Sequence, residues 1–446
     1  MSTQTAQRKS DEQLKYEIMG SSSLPLPDWA LKANIYEVNI RQYTPEGTIA
    51  AFALHLPRLK KMGVDILWLM PIFPISKTKR KGTLGSYYAV SDYRAVNPEF
   101  GTKSDFRSLV EQAHALDIRI VLDWVPNHTG WDHKWIRTKP EFYNKCKDGH
   151  ITEPLNHFGE PMGWTDVADL NYSNRELRRA MIEDMLYWIS EFNIDGYRQD
   201  MALLVPLDFW KEAVSALIAA KSDILMIAEA ENHALANEHC FHILYAWSFH
   251  HILNEIARGH QNAHHVRQWV REVRSGLKHG MYMHFTSNHD ENSWNGSEIE
   301  RMGEAHKSMA VIANTLDGIP LTYSGQEEPL EKRLEFFEKD LIPFSKLRNE
   351  KFYRILNELR HEHPALWHSY PAPTLSFINE DEHVLAYVRS TSGSYIYVIL
   401  NLSNKPRPCR LLRDVSGKEI FTGKRINIKA GSEITLEPWE YLVIVH

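Results

Sequence analysis

Ile120-Val-Leu-Asp123 is a short apolar run that ends in a carboxylate, and the chain repeats the pattern. It returns at Gly196-Tyr-Arg-Gln-Asp200, at Ile224-Leu-Met-Ile-Ala-Glu229 and in the segment from Met281 to Asp290. A strand buried on both faces reads as a continuous hydrophobic run. When such strands alternate with amphipathic helices, the parallel sheet gathers polar side chains at its carboxyl ends. Four acids delivered to one rim read as a catalytic site.

Outward from these runs, eight strands are predicted, at 34–40, 65–70, 119–125, 196–200, 224–228, 243–247, 281–286 and 319–323. Between them lie stretches of helical spacing, such as Leu177, Met181, Met185, Trp188 and Phe192. Eight βα units give an α/β fold class, a (β/α)8 TIM barrel. A doubly wound open sheet is the competing architecture, but no glycine-rich phosphate turn follows an early strand. Two details carry their own expectations. Pro57 should break or kink the first helix, and Gly318 should close the helix of Met309, Ile312, Ala313 and Leu316 in a left-handed conformation.

The connection after the third strand is too long for a βα loop. Residues 129–168 carry Trp131, Trp135, Tyr143, His157 and Trp164 and read as a small lobe inserted at the rim. After Pro371 the period changes to alternation, as in Val384, Ala386 and Val388 or Tyr395, Tyr397 and Ile399, with turn signals such as Ser392-Gly393. The expected organisation is an N-terminal extension at 1–30, a barrel at 31–128 and 169–368, the lobe at 129–168 and a C-terminal β-sandwich at 369–446.

Composition narrows the function. With 446 residues, 43% hydrophobic and 24% charged, the chain reads as globular. A net charge of -6 with no basic stripe argues against a nucleic-acid partner. No segment offers a membrane span or a secretory leader, so a cytoplasmic location is expected, or a periplasmic or secreted one if a signal peptide has been removed. Three scattered cysteines, Cys146, Cys240 and Cys409, suit a reducing compartment.

Side chains two apart on a strand share a face, so Arg198 and Asp200 should point into one mouth. The guanidinium should depress the Asp200 pKa and leave an ionised nucleophile, although a structural ion pair would look the same. Glu229 follows an apolar wall, where desolvation should raise its pKa and keep a general acid protonated. Glu231 is its competitor, further toward the loop. His128 and His289 read either as satisfied core residues or as donors to a neutral polyol. Zinc is unsupported, because no His-Glu-x-x-His helix or Cys-x-x-Cys pair exists. Tyr87, Tyr88 and Trp131 are candidates for stacking on sugar faces. Two carboxyl groups of opposed protonation state are what retaining glycoside hydrolysis requires.

These residues resemble the α-amylase family of glycoside hydrolases, family 13, over nearly the whole chain. Asp123-Trp-Val-Pro-Asn-His128 resembles its third-strand motif and Gly196-Tyr-Arg-Gln-Asp200 its nucleophile strand. Ile227-Ala-Glu229 is similar to its acid/base segment and Ser287-Asn-His-Asp290 to its seventh-strand motif. Asp169-Leu-Asn171, Gly318-Ile-Pro320, Gly325-Gln-Glu327 and Gly85-Ser-Tyr-Tyr88 running into Asp92-Tyr93 add to the match. The resemblance implies Asp200 as nucleophile, Glu229 as acid/base and Asp290 as transition-state stabiliser. It implies Tyr88, His128, Arg198 and His289 as sugar-binding residues and Asp123 as the support of Arg198. No cofactor is implied for catalysis; a structural calcium is, with Asn127 and Asp169 at two of its ligand positions, although members without calcium keep similar residues. The implied activity is retaining hydrolysis of α-1,4 bonds in α-glucans and maltooligosaccharides. An α-glucosidase, a 4-α-glucanotransferase or a sugar isomerase would share its intermediate. A non-catalytic binding scaffold is disfavoured because all three acids are present.

Overall fold

The computed structural model describes residues 24–446 apart from 157, 370 and 371. Residues 1–23 of the expected extension, His157 and Pro371 thus lie outside the described residues. All eight predicted barrel strands form: β1 (Ile35–Val38), β2 (Ile66–Leu69), β3 (Arg119–Trp124), β4 (Gly196–Gln199), β5 (Leu225–Ala228), β6 (Ile243–Tyr245), β7 (Met281–His284) and β8 (Ile319–Tyr323). Each pairs in parallel with the next, and β8 pairs with β1 through Leu321 and Ile35, so the barrel closes. β1 is shorter than expected because Ile40 already begins the helix Ile40–Tyr43.

Period-two alternation sorts every strand into an inward and an outward set. Ile35, Ile66, Val121, Leu225, Ile227, Ile243, Met281, Met283, Ile319 and Leu321 form one apolar cluster inside the barrel. Their neighbours Tyr36, Leu67, Ile120, Leu122, Tyr197, Met226, Leu244 and Tyr282 belong to a second cluster that includes the surrounding helices. The same parity, carried to the carboxyl ends, aims Glu37, Trp68, Asp123, Arg198, Glu229 and Tyr245 at the mouth. The barrel floor is apolar and its rim is charged for one geometric reason.

Pro57 does not kink a continuous helix. The chain forms two helices, Ile49–Ala53 and Leu56–Lys61, and Pro57 sits in the first turn of the second, where its missing N–H has no intrahelical partner to lose. Gly318 is not a left-handed cap either. The helix His306–Thr315 ends on an extended Leu316, and at Gly318, with φ +154°, an added Cβ would lie 2.4 Å from the Tyr282 carbonyl oxygen. Close approach of β8 to β7, rather than helix termination, requires the glycine.

The inserted lobe leaves and re-enters the barrel through two short antiparallel strands, His128–Gly130 and Val167–Asp169, which pair His128 with Asp169. His128 is therefore fixed at the neck of the lobe. The C-terminal region is antiparallel: six strands form one sheet, and Arg407–Arg410 pairs with Glu433–Leu436 in a second. Val384, Ala386 and Val388 pack with Leu411, Val415 and Leu436 inside it, while Leu385, Tyr387 and Val398 join the main core. Arg389 pairs with Asp317 at 3.2 Å and ties this region to the start of β8. Among the described residues no helix is long and apolar enough to cross a membrane.

Gly196 opens the strand that carries Arg198 and Asp200, and a Cβ there would sit 2.5 Å from the Leu225 carbonyl oxygen and 3.0 Å from Leu225 Cβ. Backbone oxygen cannot yield as a side chain can. Gly196→Ala is expected to destabilise the fold by about 1–3 kcal/mol, read as a lower midpoint in urea unfolding; an unchanged midpoint would show that β4 and β5 have room to spare.

Candidate active site

Arg198 is wholly buried at the centre of the mouth and touches three carboxylates. Its Nη1 donates to Asp123 Oδ1 at 2.8 Å and to Asp200 Oδ1 at 3.0 Å, and its Nε donates to Tyr245 Oη at 3.1 Å. Nη2 lies 2.9 Å from Glu229 Oε2, close enough for an ion pair but off the hydrogen-bonding line. The guanidinium also lies 5.0 Å from the Trp68 ring centre and 5.7 Å from that of Tyr88. Asp123 is held on its other oxygen by Trp68 Nε1 at 3.1 Å and Tyr88 Oη at 3.0 Å. Immediately after Asp200 the backbone turns left-handed at Met201, with φ +46°, an uncommon conformation for a side-chain-bearing residue. That turn directs the Met201 N–H at Glu229 Oε2, 2.8 Å away.

One cation cannot neutralise three acids, and the protonation equilibria reflect it. Burial, then the charge of Glu229, pushes the Asp200 carboxyl well above the usual carboxylate range, and Arg198 only partly opposes them. This corrects the expectation that Arg198 depresses it: desolvation of a fully enclosed carboxylate outweighs one shared guanidinium. Burial likewise raises Asp123 to about 6 against the pull of Arg198.

A second charged couple stands beside the first. His289 Nδ1 hydrogen-bonds Glu37 Oε1, and its Nε2 lies 2.8 Å from Tyr88 Oη and 3.2 Å from Asp290 Oδ2. Burial lowers the His289 pKa, but Asp290 and Glu37 raise it further, to about 9, so the ring is cationic at neutral pH. The Tyr88 ring stacks on His289, with centres 5.5 Å apart at 21°, and on Phe336 at 6.2 Å and 13°. His128 behaves oppositely: burial lowers it to about 4 and keeps it neutral, with Trp164 edge-on at 5.7 Å.

Tyr88, His128, Asp200, Glu229, His289 and Asp290 all line one cavity of about 480 Å³. Asp290 is its most accessible acid, with a side chain 34% exposed against 9% for Asp200 and 10% for Glu229. Glu231 is elsewhere, accepting from the Ser248 backbone N–H and hydroxyl. Tyr87 is buried beneath the Arg41 guanidinium, 4.2 Å from its ring centre, and packs instead of facing a ligand. Sequence reading missed Glu37, Trp68, Tyr245 and Phe336. For the first three the parity of the strands was the available signal; Phe336 lies in a loop without one.

Asn127 and Asp169 supply two oxygen donors for calcium, which takes roughly six to eight. Asp169 Oδ2 already accepts from Asn144 Nδ2 at 2.7 Å, and burial raises its carboxyl to about 6. No group of three His, Cys, Asp or Glu able to hold a metal occurs among the described residues.

The profile of the α-amylase catalytic domain matches residues 41–351, and that of the maltogenic amylase C-terminal domain matches residues 375–443. The chain belongs to the α-amylase family. It is a glycoside hydrolase of the α-amylase type. Among curated relatives, the α-amylase MalA of Haloarcula japonica is 25% identical over 419 residues, covering 89% of this chain and 59% of that protein. The α-amylase 2 of Dictyoglomus thermophilum is 23% identical over 460 residues, covering 92% and 77%. Among solved structures, the maltogenic α-amylase AmyB of Thermotoga neapolitana superposes with a TM-score of 0.83 at 28% identity, covering 94% of this chain and 99% of its own. An α-amylase of Lactobacillus plantarum gives 0.81 at 28% identity, with the same coverage.

In this family member the folded pKa of His289 lies above its ordinary 6.5, so the stability it contributes is complete below pH 6.5 and is lost as pH rises through about 9. The unfolding free energy separating wild type from His289→Gln should therefore shrink between those values. In histidine ring NMR spectra the resonance absent from His289→Gln should titrate near 9, and Glu37→Gln should lower that midpoint. A midpoint near 6.5 in wild type would mean that the ion pairs with Glu37 and Asp290 do not form.

Proposed function

We propose that the protein is a retaining α-glucan hydrolase that cleaves α-1,4 bonds of starch-derived oligosaccharides through a covalent glycosyl intermediate on Asp200. The supporting observation is the convergence of Asp123, Asp200 and Glu229 on one buried guanidinium, in a cavity that Asp290 and an aromatic stack complete. Retaining hydrolysis needs one carboxylate to attack the anomeric carbon and one carboxylic acid to protonate the departing oxygen. The acids around Arg198 cannot all ionise in a space this dry, so a proton stays within the coupled set. Retaining attack requires Asp200 to be ionised as positive charge develops on the sugar, and requires the departing oxygen to take its proton from Glu229. The Met201 N–H and Arg198 hold the Glu229 carboxyl through one oxygen.

Asp290 grips sugar hydroxyls opposite the nucleophile. The cationic His289 donates toward the same sugar, the neutral His128 contacts it from the neck of the lobe, and Tyr88 supplies the stacking face. Asp123 positions Arg198 and does not touch substrate. No cofactor enters any step. Cys146, Cys240 and Cys409 are free thiols, which supports a reducing, cytoplasmic setting.

Hydrolysis of maltoheptaose tests the reading. Asp200→Asn should abolish turnover, and Glu229→Gln should lower kcat by roughly 10²–10⁴-fold. The wild-type kcat/KM should be bell-shaped in pH, with its basic limb removed in Glu229→Gln. NMR of the first product should show the α-anomer, because two inversions restore the configuration. Equal rates in wild type and Asp200→Asn, or a β-anomeric first product, would overturn the assignment.

A further inference from the structure

We infer that the pocket is closed at one end by a wall built from the loop at residues 77–84, and that this wall makes the enzyme cut near chain ends. The inference rests on the reading above for its chemistry but on different residues. The loop is tied to the inserted lobe on one side: Lys81 Nζ pairs with the buried Asp166 at 3.0 Å and donates to the Gly163 carbonyl at 3.3 Å. Lys77 N donates to Asp132 Oδ2 at 2.8 Å, and Lys79 Nζ lies 3.5 Å over the Trp131 ring. On the other side it is tied to the loop after β8. Thr83 N donates to Glu338 Oε1 at 2.8 Å, the Thr83 hydroxyl meets the same carboxylate, and Leu84 N donates to the Phe337 carbonyl at 3.1 Å.

The wall is also braced from within and below. Arg80 donates to the carbonyls of Ile75, Ser76 and Thr83, and the buried Arg41 donates to those of Leu84 and Gly85. Three separate elements thus meet across one side of the cleft, and Lys81, Asp166 and Phe337 all line the cavity of the catalytic acids.

Chemistry fixes which side this is. Glu229 protonates the departing oxygen, so the leaving chain extends past Glu229 and Met201. None of the wall's contacts among the described residues is with either. It abuts Asp166, whose charge acts on His128, and Phe337, which packs on Phe336 and through it on the Tyr88 stack. The wall therefore stands beyond the non-reducing end of the bound sugar. The cavity of about 480 Å³ falls in the size range of pockets that hold a small ligand. Trp294, 51% exposed and 5.2 Å from Phe336, adds an aromatic lip for the incoming chain end.

Maltoheptaose labelled at its reducing end reports the site of the first cut. Wild type should give labelled products shortened by about one or two glucosyl units, the length such a pocket holds. Lys81→Ala and Glu338→Ala each remove one side-chain anchor, on opposite sides of the wall, and each should raise the share of internal first cuts several-fold. Having two anchors keeps the test open if one variant fails to fold, which circular dichroism would show. Internal first cuts by wild type, or first cuts unchanged in the folded variants, would overturn the wall. Absence of any cleavage by wild type would instead overturn the proposed hydrolysis.

Discussion

A guanidinium with no exposed surface, ringed by three carboxylates, is the constraint around which the rest of the molecule is arranged. Removing charges from water costs several kcal/mol each, and only close, directed partners offset it. Arg198 has those partners because β3, β4 and β5 lie side by side, which brings Asp123, Arg198, Asp200 and Glu229 to one point. Gly196 permits the tight approach of β4 to β5, and the apolar layer of Ile227, Met283 and Leu321 below keeps water from the charges. Losing any one acid would leave its neighbours differently charged, so fold and chemistry are coupled through the same pairs.

Tyr88 links this cluster to the second one. Its hydroxyl reaches both Asp123 and His289, and its ring covers the His289 imidazole. A cationic histidine is stable in so dry a place because Glu37 is buried behind it and Asp290 lies in front. The mouth then carries two cations and five acids, joined through the Tyr88 hydroxyl. Asp290 is the most exposed of these acids, whereas Asp200 and Arg198 are enclosed by the barrel.

The barrel was legible because each strand is an apolar run of the right length between amphipathic helices, and the acids gathered at its mouth were legible because they follow those runs. Glu37 was missed inside such a run: Ile35-Tyr-Glu-Val38 reads as a strand with one polar blemish until parity places Glu37 on the inward face with Ile35. Trp68 and Tyr245 lie inside apolar runs, where nothing local distinguishes an aromatic that faces the mouth from one that packs in the core. The Asp200 protonation was misjudged because the sequence shows Arg198 two residues away but not that two more carboxylates share it, nor how completely water is excluded. Gly318 was read from its local helix, although the requirement for it comes from Tyr282 on the neighbouring strand.

The wall at 77–84 left no trace in the sequence, for a reason that separates it from the catalytic groups. Strand-borne residues are placed by a repeating geometry that any window of the chain displays. Lys81, Asp166 and Glu338 are placed by loops that meet only in three dimensions, and a charged loop reads first as solvated surface. Their energetics differ too. Lys81 is 35% exposed, and a partly exposed ion pair of this kind contributes roughly 0–1 kcal/mol, far less than the barrel interior. Such contacts can be exchanged without unsettling β3, β4 or β5. The rigid strands therefore determine which bond chemistry is possible, and weakly held loops at the rim determine how much of a glucan chain reaches it.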